Sequence, residues 1–391
     1  MFGLENLLDI YRPQEKDITF RVKCKDLSVL FFDLKKFLSK TELTNTIEVN
    51  VANGIMTVRA SAAAHYRFDI KLIEEKDGSH LKAELKNNYL FSDIEKMIPK
   101  AGAMQVTMTG TFLTLKNKTR SLRLASSMSE LPNISFEREW TAFEDRRLVT
   151  SLRRLKELAP LSKIYRRSPP IQIGKTFLQE LYQCIFVQAP SPDLEGLAIE
   201  PLQMQLLQDI ILDYGIANSI DLDELSEEDL EEFDDLDDSA PIGNTTTCMY
   251  SEDESSLMFR FGDKYLGLTK TVGTSITDLN EELSAFTFVQ EVDFGYLGAE
   301  LKKLQQSAGN GEVTVFITTR SIIIEKQLLG NSFKLCIGDE DCNELVLQFT
   351  YALELLTPIV KYLGDSFEVY KKGELLCLKQ GEYLIMISYR V

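Results

Sequence analysis

The chain has 391 residues, of which 44% are hydrophobic, 9% aromatic and 26% charged, a composition that predicts a mostly folded protein of two to four domains and excludes a disordered or fibrous one. Its net charge is -17, and a single run, DLDELSEEDLEEFDDLDD from Asp221 to Asp238, carries twelve of those negative charges without one base. The rest of the chain is close to neutral, so the acidity is local and excludes nothing about a nucleic-acid partner.

In chain order, MFGLENLLDIYRPQEKD at the N-terminus has neither a basic n-region nor a long apolar stretch; no signal peptide or membrane span is expected, and the expected compartment is cytoplasmic. Ile18 opens a strand, and Lys25 to Lys40 reads as a helix. Leu27, Leu30, Phe31, Leu34 and Leu38 form its apolar stripe, with Lys25, Ser28, Lys35, Lys36 and Ser39 largely opposite. IEVNVANGIMTVRAS, from Ile47, alternates, turns and alternates again, which is the period of a half-buried antiparallel hairpin. The same form returns from Met104, Ser256, Glu312 and Ser366, with a degenerate copy from Ile171.

A helix is expected before each hairpin. Tyr89 to Gly102, Tyr296 to Gly309 and Tyr351 to Gly364 share a tyrosine and a glycine thirteen positions apart, the glycine suiting a helix C-terminus that needs a left-handed residue. Leu202 to Gly215 keeps the spacing without the tyrosine. Asp145 to Ala159 completes the set, with Arg147, Ser151 and Arg154 opposing Leu148, Leu152 and Leu155.

The plan is therefore α+β: a strand, a helix and two or three antiparallel strands, repeated six times at about 65 residues each, two repeats to a domain. Boundaries fall after an N-terminal extension at 1–17, giving domains at 18–139, 140–284 and 285–391, with an acidic insertion at 219–241 in the second. One-sided helices favour a closed ring over a solenoid, whose helices are buried on both sides.

Catalytic signals are weak. His65 and His80, the two histidines, stand near strand edges with no cysteine or carboxylate constellation and read as surface or hairpin residues. Gly174-Lys175-Thr176 lacks the upstream glycine of a phosphate loop and falls in a strand-like stretch. Asp221-x-Asp223 begins like a calcium loop, but Leu225 and Ser226 occupy positions where an acid or amide and a glycine are required. No catalytic residue, structural metal site or cofactor is expected. The six cysteines contain no C-x-x-C pair; Cys24, Cys184 and Cys377 sit in apolar runs, as reduced core thiols do. The acidic run reads as a solvated loop. Leu222, Leu225, Leu230, Phe233 and Leu236 leave open an amphipathic segment that folds on a basic partner, or a DNA mimic that folds back on a basic helix.

ITFRVKCKDLSVLFFDLKKFL, NNYLFSDIEKMIPKAG, LTLKNKTRSLRLASSMSELPNISF and the C-terminal GEYLIMISYRV resemble, in order and spacing, the bacterial-type DNA polymerase sliding clamp, or beta clamp, family. The match is dense from Ile18 to Phe136, covers the first and third domains well and the second poorly. Ser388 and Tyr389 depart from the family's proline and methionine. Together with the extension and the insertion, this fits a phage-encoded or otherwise divergent clamp. The resemblance implies three clamp-type domains assembling into a ring with helices inside and sheets outside. It implies a non-enzymatic processivity factor that encircles double-stranded DNA without reading sequence, tethers a DNA polymerase, is opened by a clamp loader and closes as a homodimer. Twelve helices about 10 Å wide would enclose a hole roughly 28 Å across. The alternative is a clamp-fold platform for transcription, or an inhibitor of a host clamp, that does not slide.

The expected DNA-facing residues are Lys25, Lys35, Lys36 and Lys40; Lys96 and Lys100; Arg146, Arg147, Arg153 and Arg154; Lys302 and Lys303; and Lys361. By resemblance, partner peptides enter between the second and third domains. Ile385, Ile387, Ser388, Tyr389 and Arg390 stand at positions matching one wall of that pocket, and order along the chain makes Ile171, Ile173, Ile276 and Leu279 the candidates for the other.

Overall fold

A computed structural model describes residues 17–39, 45–129, 131, 136, 139–194, 196–212, 246–251, 256–269, 271–293, 295–328, 331–339, 344–364 and 366–389. Residues 1–16 of the N-terminal extension, the acidic run, Lys40, Gly215 and Arg390 lie outside the described residues. The chain forms two compact units: Met1–Ala142 with Leu202–Thr269, and Phe143–Pro201 with Lys270–Val391.

The first unit is built on two antiparallel sheets. Eight strands run Leu85–Leu90, Thr46–Ala52, Ile55–Ser61, His65–Lys71, Lys264–Thr269, Ser256–Phe261, Thr247–Ser251, Trp140–Ala142; four run Ile18–Lys23, Ala103–Met108, Phe112–Lys116, Ser121–Ala125. The hairpin expected from Ile47 turns at Asn53 and Gly54, both at positive φ (52° and 75°), the two-residue turn whose twist matches that of its strands. Helix Cys24–Ser39 buries Leu27, Leu30, Phe31, Leu34, Phe37 and Leu38, so its expected stripe is the core face. Asp33 shares that face. It is 1% exposed, its Oδ2 lies 2.6 Å from Lys264 Nζ, and it accepts from the Tyr66 hydroxyl at 3.2 Å. Burial raises the Asp33 pKa, with Lys264 opposing the shift.

The second unit has a nine-stranded sheet, Thr271–Val272, Leu197–Ile199, Ile171–Ile173, Phe177–Tyr182, Ile185–Pro190, Tyr383–Ser388, Leu375–Gln380, Ser366–Lys372, Thr287–Asp293. A four-stranded sheet runs Asn331–Gly338, Ser321–Leu328, Glu312–Thr318, Leu345–Ala352. All six hairpins read from the alternation are present.

The helices differ from expectation in three places. Tyr89–Gly102 is not a helix: Tyr89 and Leu90 finish a strand and only Glu95–Met97 makes a 3-10 turn. Pro99 disfavours helical backbone at Ile98, which leaves too few residues for a stable nucleus. Gly102 nevertheless keeps the positive φ (89°) seen at Gly309 and Gly364. Asp145–Ala159 breaks into helix Arg147–Leu155, a 3-10 turn and helix Ala159–Tyr165, because Pro160 has no N–H for the ladder and fits only in a first turn. Within it Ser151 is buried, not wet, and donates to the Pro190 carbonyl at 2.6 Å. Helix Leu353–Leu363 is buried around most of its circumference, since helix Leu297–Ala308 packs beside it. From Leu202, helix Pro201–Leu207 continues as a π turn, Gln208–Leu212.

His65 and Cys184 exchange their expected places. His65 is buried, bonded to Ser61 Oγ at 2.8 Å, and burial lowers its pKa from 6.5 to about 4. Cys184 is exposed at the turn after Gln183.

Candidate functional site: a basic set and an apolar pocket

The structure divides the expected DNA-facing cations into two groups. Lys25, Lys96, Lys100, Arg146 and Lys302 are exposed and have no hydrogen-bond or ion-pair partner among the described residues. The other described ones are engaged. Lys35 pairs with Asp93 at 2.8 Å and approaches Glu95 at 4.0 Å. Lys36 donates to the Asp209 carbonyl at 3.3 Å and lies over the Phe32 ring. Arg147 meets Asp145 at 2.6 Å and Glu382 at 3.8 Å; Lys303 meets Glu300 at 2.5 Å; Lys361 meets Glu157 at 3.5 Å. Arg153 is half-buried, and desolvation lowers its pKa.

Arg154 has a structural task. Its guanidinium donates to the carbonyls of Tyr362 and Leu363 and to Gln380 Oε1, and stacks 3.9 Å from the Tyr383 ring centroid. It thereby caps the carbonyl end of helix Leu353–Leu363, where a cation also meets the negative end of the helix dipole.

The second site is a cavity of about 690 Å³ within the second unit. Its floor is apolar: Leu181, Phe186 and Met386, from neighbouring strands, with Leu181 and Phe186 respectively 49% and 44% exposed. Large apolar side chains left in water together on a concave surface mark a docking site. Thr274–Thr277, Leu279 and Glu282 supply one wall, and Tyr165, Arg167, Pro169 and Pro170 stand at its edge. Glu180 also lines it, buried, accepting from the Tyr182 hydroxyl at 2.5 Å, with desolvation pushing its carboxyl up to about 7.

Of the expected pocket residues, Ile276 and Leu279 line this cavity and Ile171, Ile173, Ile385 and Ile387 do not. Those four are at most 2% exposed. Alternation along Tyr383–Ser388 places Leu384 and Met386 on the face that packs with Leu279 and Cys377, and Ile385 and Ile387 on the opposite face. Likewise Gln172, between Ile171 and Ile173, is the residue of that strand lining the pocket. Tyr389 is buried and tied to the Gly373 carbonyl at 3.0 Å; Ser388 is exposed but does not line the cavity. Of strand Tyr383–Ser388 it is therefore Met386, and not Ile385 or Ile387, that lines this cavity. Four consecutive buried residues, Leu384 to Ile387, leave parity with no polar side to read.

The sequence matches no protein-family model and no curated protein. Solved structures do match along its length. The DNA polymerase sliding clamp from Bacillus subtilis superposes with a TM-score of 0.67 at 13% identity, covering 96% of this chain and 100% of that one. The Helicobacter pylori beta clamp bound to a DNA ligase peptide gives 0.66 at 11%, with the same coverage. DNA polymerase III beta subunit from Thermotoga maritima gives 0.64 at 14%, again over 96% and 100%. The chain has the bacterial sliding-clamp fold. At these identities the likeness shows the fold alone. Among the described residues no helix is long and apolar enough to cross a membrane.

Proposed function

We propose that the protein is a DNA sliding clamp, a non-enzymatic ring that encircles duplex DNA and tethers a polymerase and other partners through its apolar pocket. The observation that carries the reading is the clamp fold over 96% of the chain and the whole of its structural neighbours. In this reading the chain has the three domains 18–139, 140–284 and 285–391, two chains close head to tail, a loader opens the ring, and the work is done in the cytoplasm.

The exposed Lys25, Lys96, Lys100, Arg146 and Lys302 supply a modest, sequence-independent attraction to phosphate, enough to line a pore without stopping motion. The pocket takes a short segment with large apolar side chains, and a neighbouring fold is seen with a DNA ligase peptide. A second reading, a clamp-fold platform or host-clamp inhibitor that does not slide, is favoured by one observation: Lys35, Arg147, Lys303 and Lys361 are each offset by a carboxylate.

Charge reversal at the five unpaired cations distinguishes the two. On circular duplex DNA the sliding clamp loses salt-dependent contact on reversal, with a shallower slope of affinity against salt. A slope unchanged by reversal favours the platform.

A further inference from the structure

Three glutamines stand side by side on the face of the nine-stranded sheet that carries the pocket. Gln172 is the registered partner of Gln179, and Gln179 of Gln188, on three adjacent strands. Each holds part of the 274–279 segment. Gln172 Oε1 accepts from the Thr274 amide at 2.8 Å; Gln179 Nε2 donates to the Thr277 carbonyl and, at 2.9 Å, to Gln188 Oε1. Gln188 Oε1 also accepts from the Leu279 amide at 2.8 Å, and its Nε2 donates to Asp278 Oδ1 at 2.7 Å.

The ladder has one consistent direction. A backbone amide must face an oxygen and a carboxylate must face N–H, so Leu279 and Asp278 fix the Gln188 amide, and Gln188 in turn requires a donor at Gln179. Gln188 is 1% exposed, so reversing it would orphan buried polar groups. Asp278 also caps helix Leu279–Leu283, accepting from the Asn280 amide. The segment is set close: a Cβ added at Gly273 would meet the Leu197 carbonyl at 2.7 Å and Gln172 Oε1 at 2.9 Å, and one at Gly174 would meet Ile276 Cδ1 at 2.9 Å.

We propose that Gln172, Gln179 and Gln188 are positioning residues for ligand binding: they seat the 274–279 wall so that Ile276 and Leu279 face the apolar floor before a peptide arrives. The inference rests on the reading of this cavity as the peptide pocket. Hydrogen bonds hold the wall, and the apolar side chains it presents make the contact. Without the ladder, the wall must be ordered on binding, and that cost is taken from affinity.

The test uses full-length protein, the Helicobacter pylori DNA ligase peptide as probe, and two variants. Gln179→Met keeps the length of the side chain and removes its donors. Gln179→Glu sets a carboxylate against the Gln188 Oε1 and Thr277 acceptors, and regains a donor when protonated. Both should speed hydrogen exchange at the Thr274 and Leu279 amides and weaken the peptide about five- to tenfold, the loss of roughly one net hydrogen bond. The Gln179→Glu deficit, taken relative to wild type at each pH so that Glu180 cancels, should shrink as the pH is lowered, whereas the Gln179→Met deficit should not.

Unchanged exchange in both variants overturns the ladder as the seat of the wall, whatever the peptide does. Faster exchange with unchanged affinity overturns the positioning role and leaves the pocket reading standing. If wild type does not bind the peptide while exchange still responds, the pocket reading fails and the ligand-binding role falls with it.

Discussion

Two buried carboxylates, one in each unit, are accommodated in opposite ways. In the first, Asp33 is matched by Lys264 at 2.6 Å and by a tyrosine hydroxyl under helix Cys24–Ser39, so the acid has a basic partner within the core. In the second, Glu180 accepts one hydrogen bond from Tyr182 and has no cation beside it among the described residues, and burial pushes its carboxyl up to about 7. A buried pair is lost by removing a partner; a buried lone acid is relieved by removing its charge. The first arrangement belongs to the scaffold, and the second lies beside the pocket.

The comparison is broken most severely at Asp33. Replacing it with alanine strands Lys264 in a space 3% exposed, and urea denaturation followed by the single tryptophan, Trp140 in the same unit, should register a loss of about 3–5 kcal/mol. A loss under about 1 kcal/mol would mean that Lys264 escapes to solvent.

Glu180→Gln should do the reverse. The folded pKa, about 7, lies above the ordinary 4.5, so the folded state holds the proton longer and the wild type loses stability as pH rises from 4.5 to 7. The amide has nothing to ionise. It should match the wild type near pH 4.5 and exceed it by about 3 kcal/mol at pH 8, read by hydrogen exchange of helix Leu353–Leu363 across that range.

His65 gives the first unit the opposite slope. Its folded pKa is depressed to about 4 from 6.5, so its contribution is full above pH 6.5 and is lost as pH falls through 4. Trp140 fluorescence should show wild type losing up to about 3 kcal/mol over that window, with His65→Asn flattened.

Arg154 sharpens a contrast within the basic set. Arg154→Ala should destabilise the second unit by about 2 kcal/mol, because three acceptors at the end of a helix lose their donor, whereas Arg146→Ala should stay within about 0.5 kcal/mol. Equal effects would place both arginines in solvent.

The hairpins were legible because each presents one wet and one buried face, and alternation reports that difference directly. Helices were less so: Pro99 and Pro160 decide where helical backbone stops, and the apolar stripe beside them says nothing of it. The tyrosine and glycine spacing found a positive φ at Gly102, Gly309 and Gly364 but a helix before only the last two. In the pocket, Leu384 to Ile387 are buried on both faces, so no pattern could say that Met386 faces the cavity. The signal that could have found the site was polar. Gln172, Gln179 and Gln188 interrupt apolar strands at matching parity, and that row marks the face the wall is tied to. Asp33 carried no signal, since a charge on an apolar stripe reads as a flaw until Lys264, far along the chain, is brought to it.

Sliding is tested most directly by cutting the DNA under the protein. The protein is assembled on a closed circular duplex, isolated by gel filtration, and the DNA is then linearised at one site with the ends free or blocked. A ring that encircles duplex is retained on the circle, runs off the linear molecule, and stays on it when both ends are blocked. Equal retention on circular and unblocked linear DNA would contradict encirclement and leave the clamp fold serving as a platform.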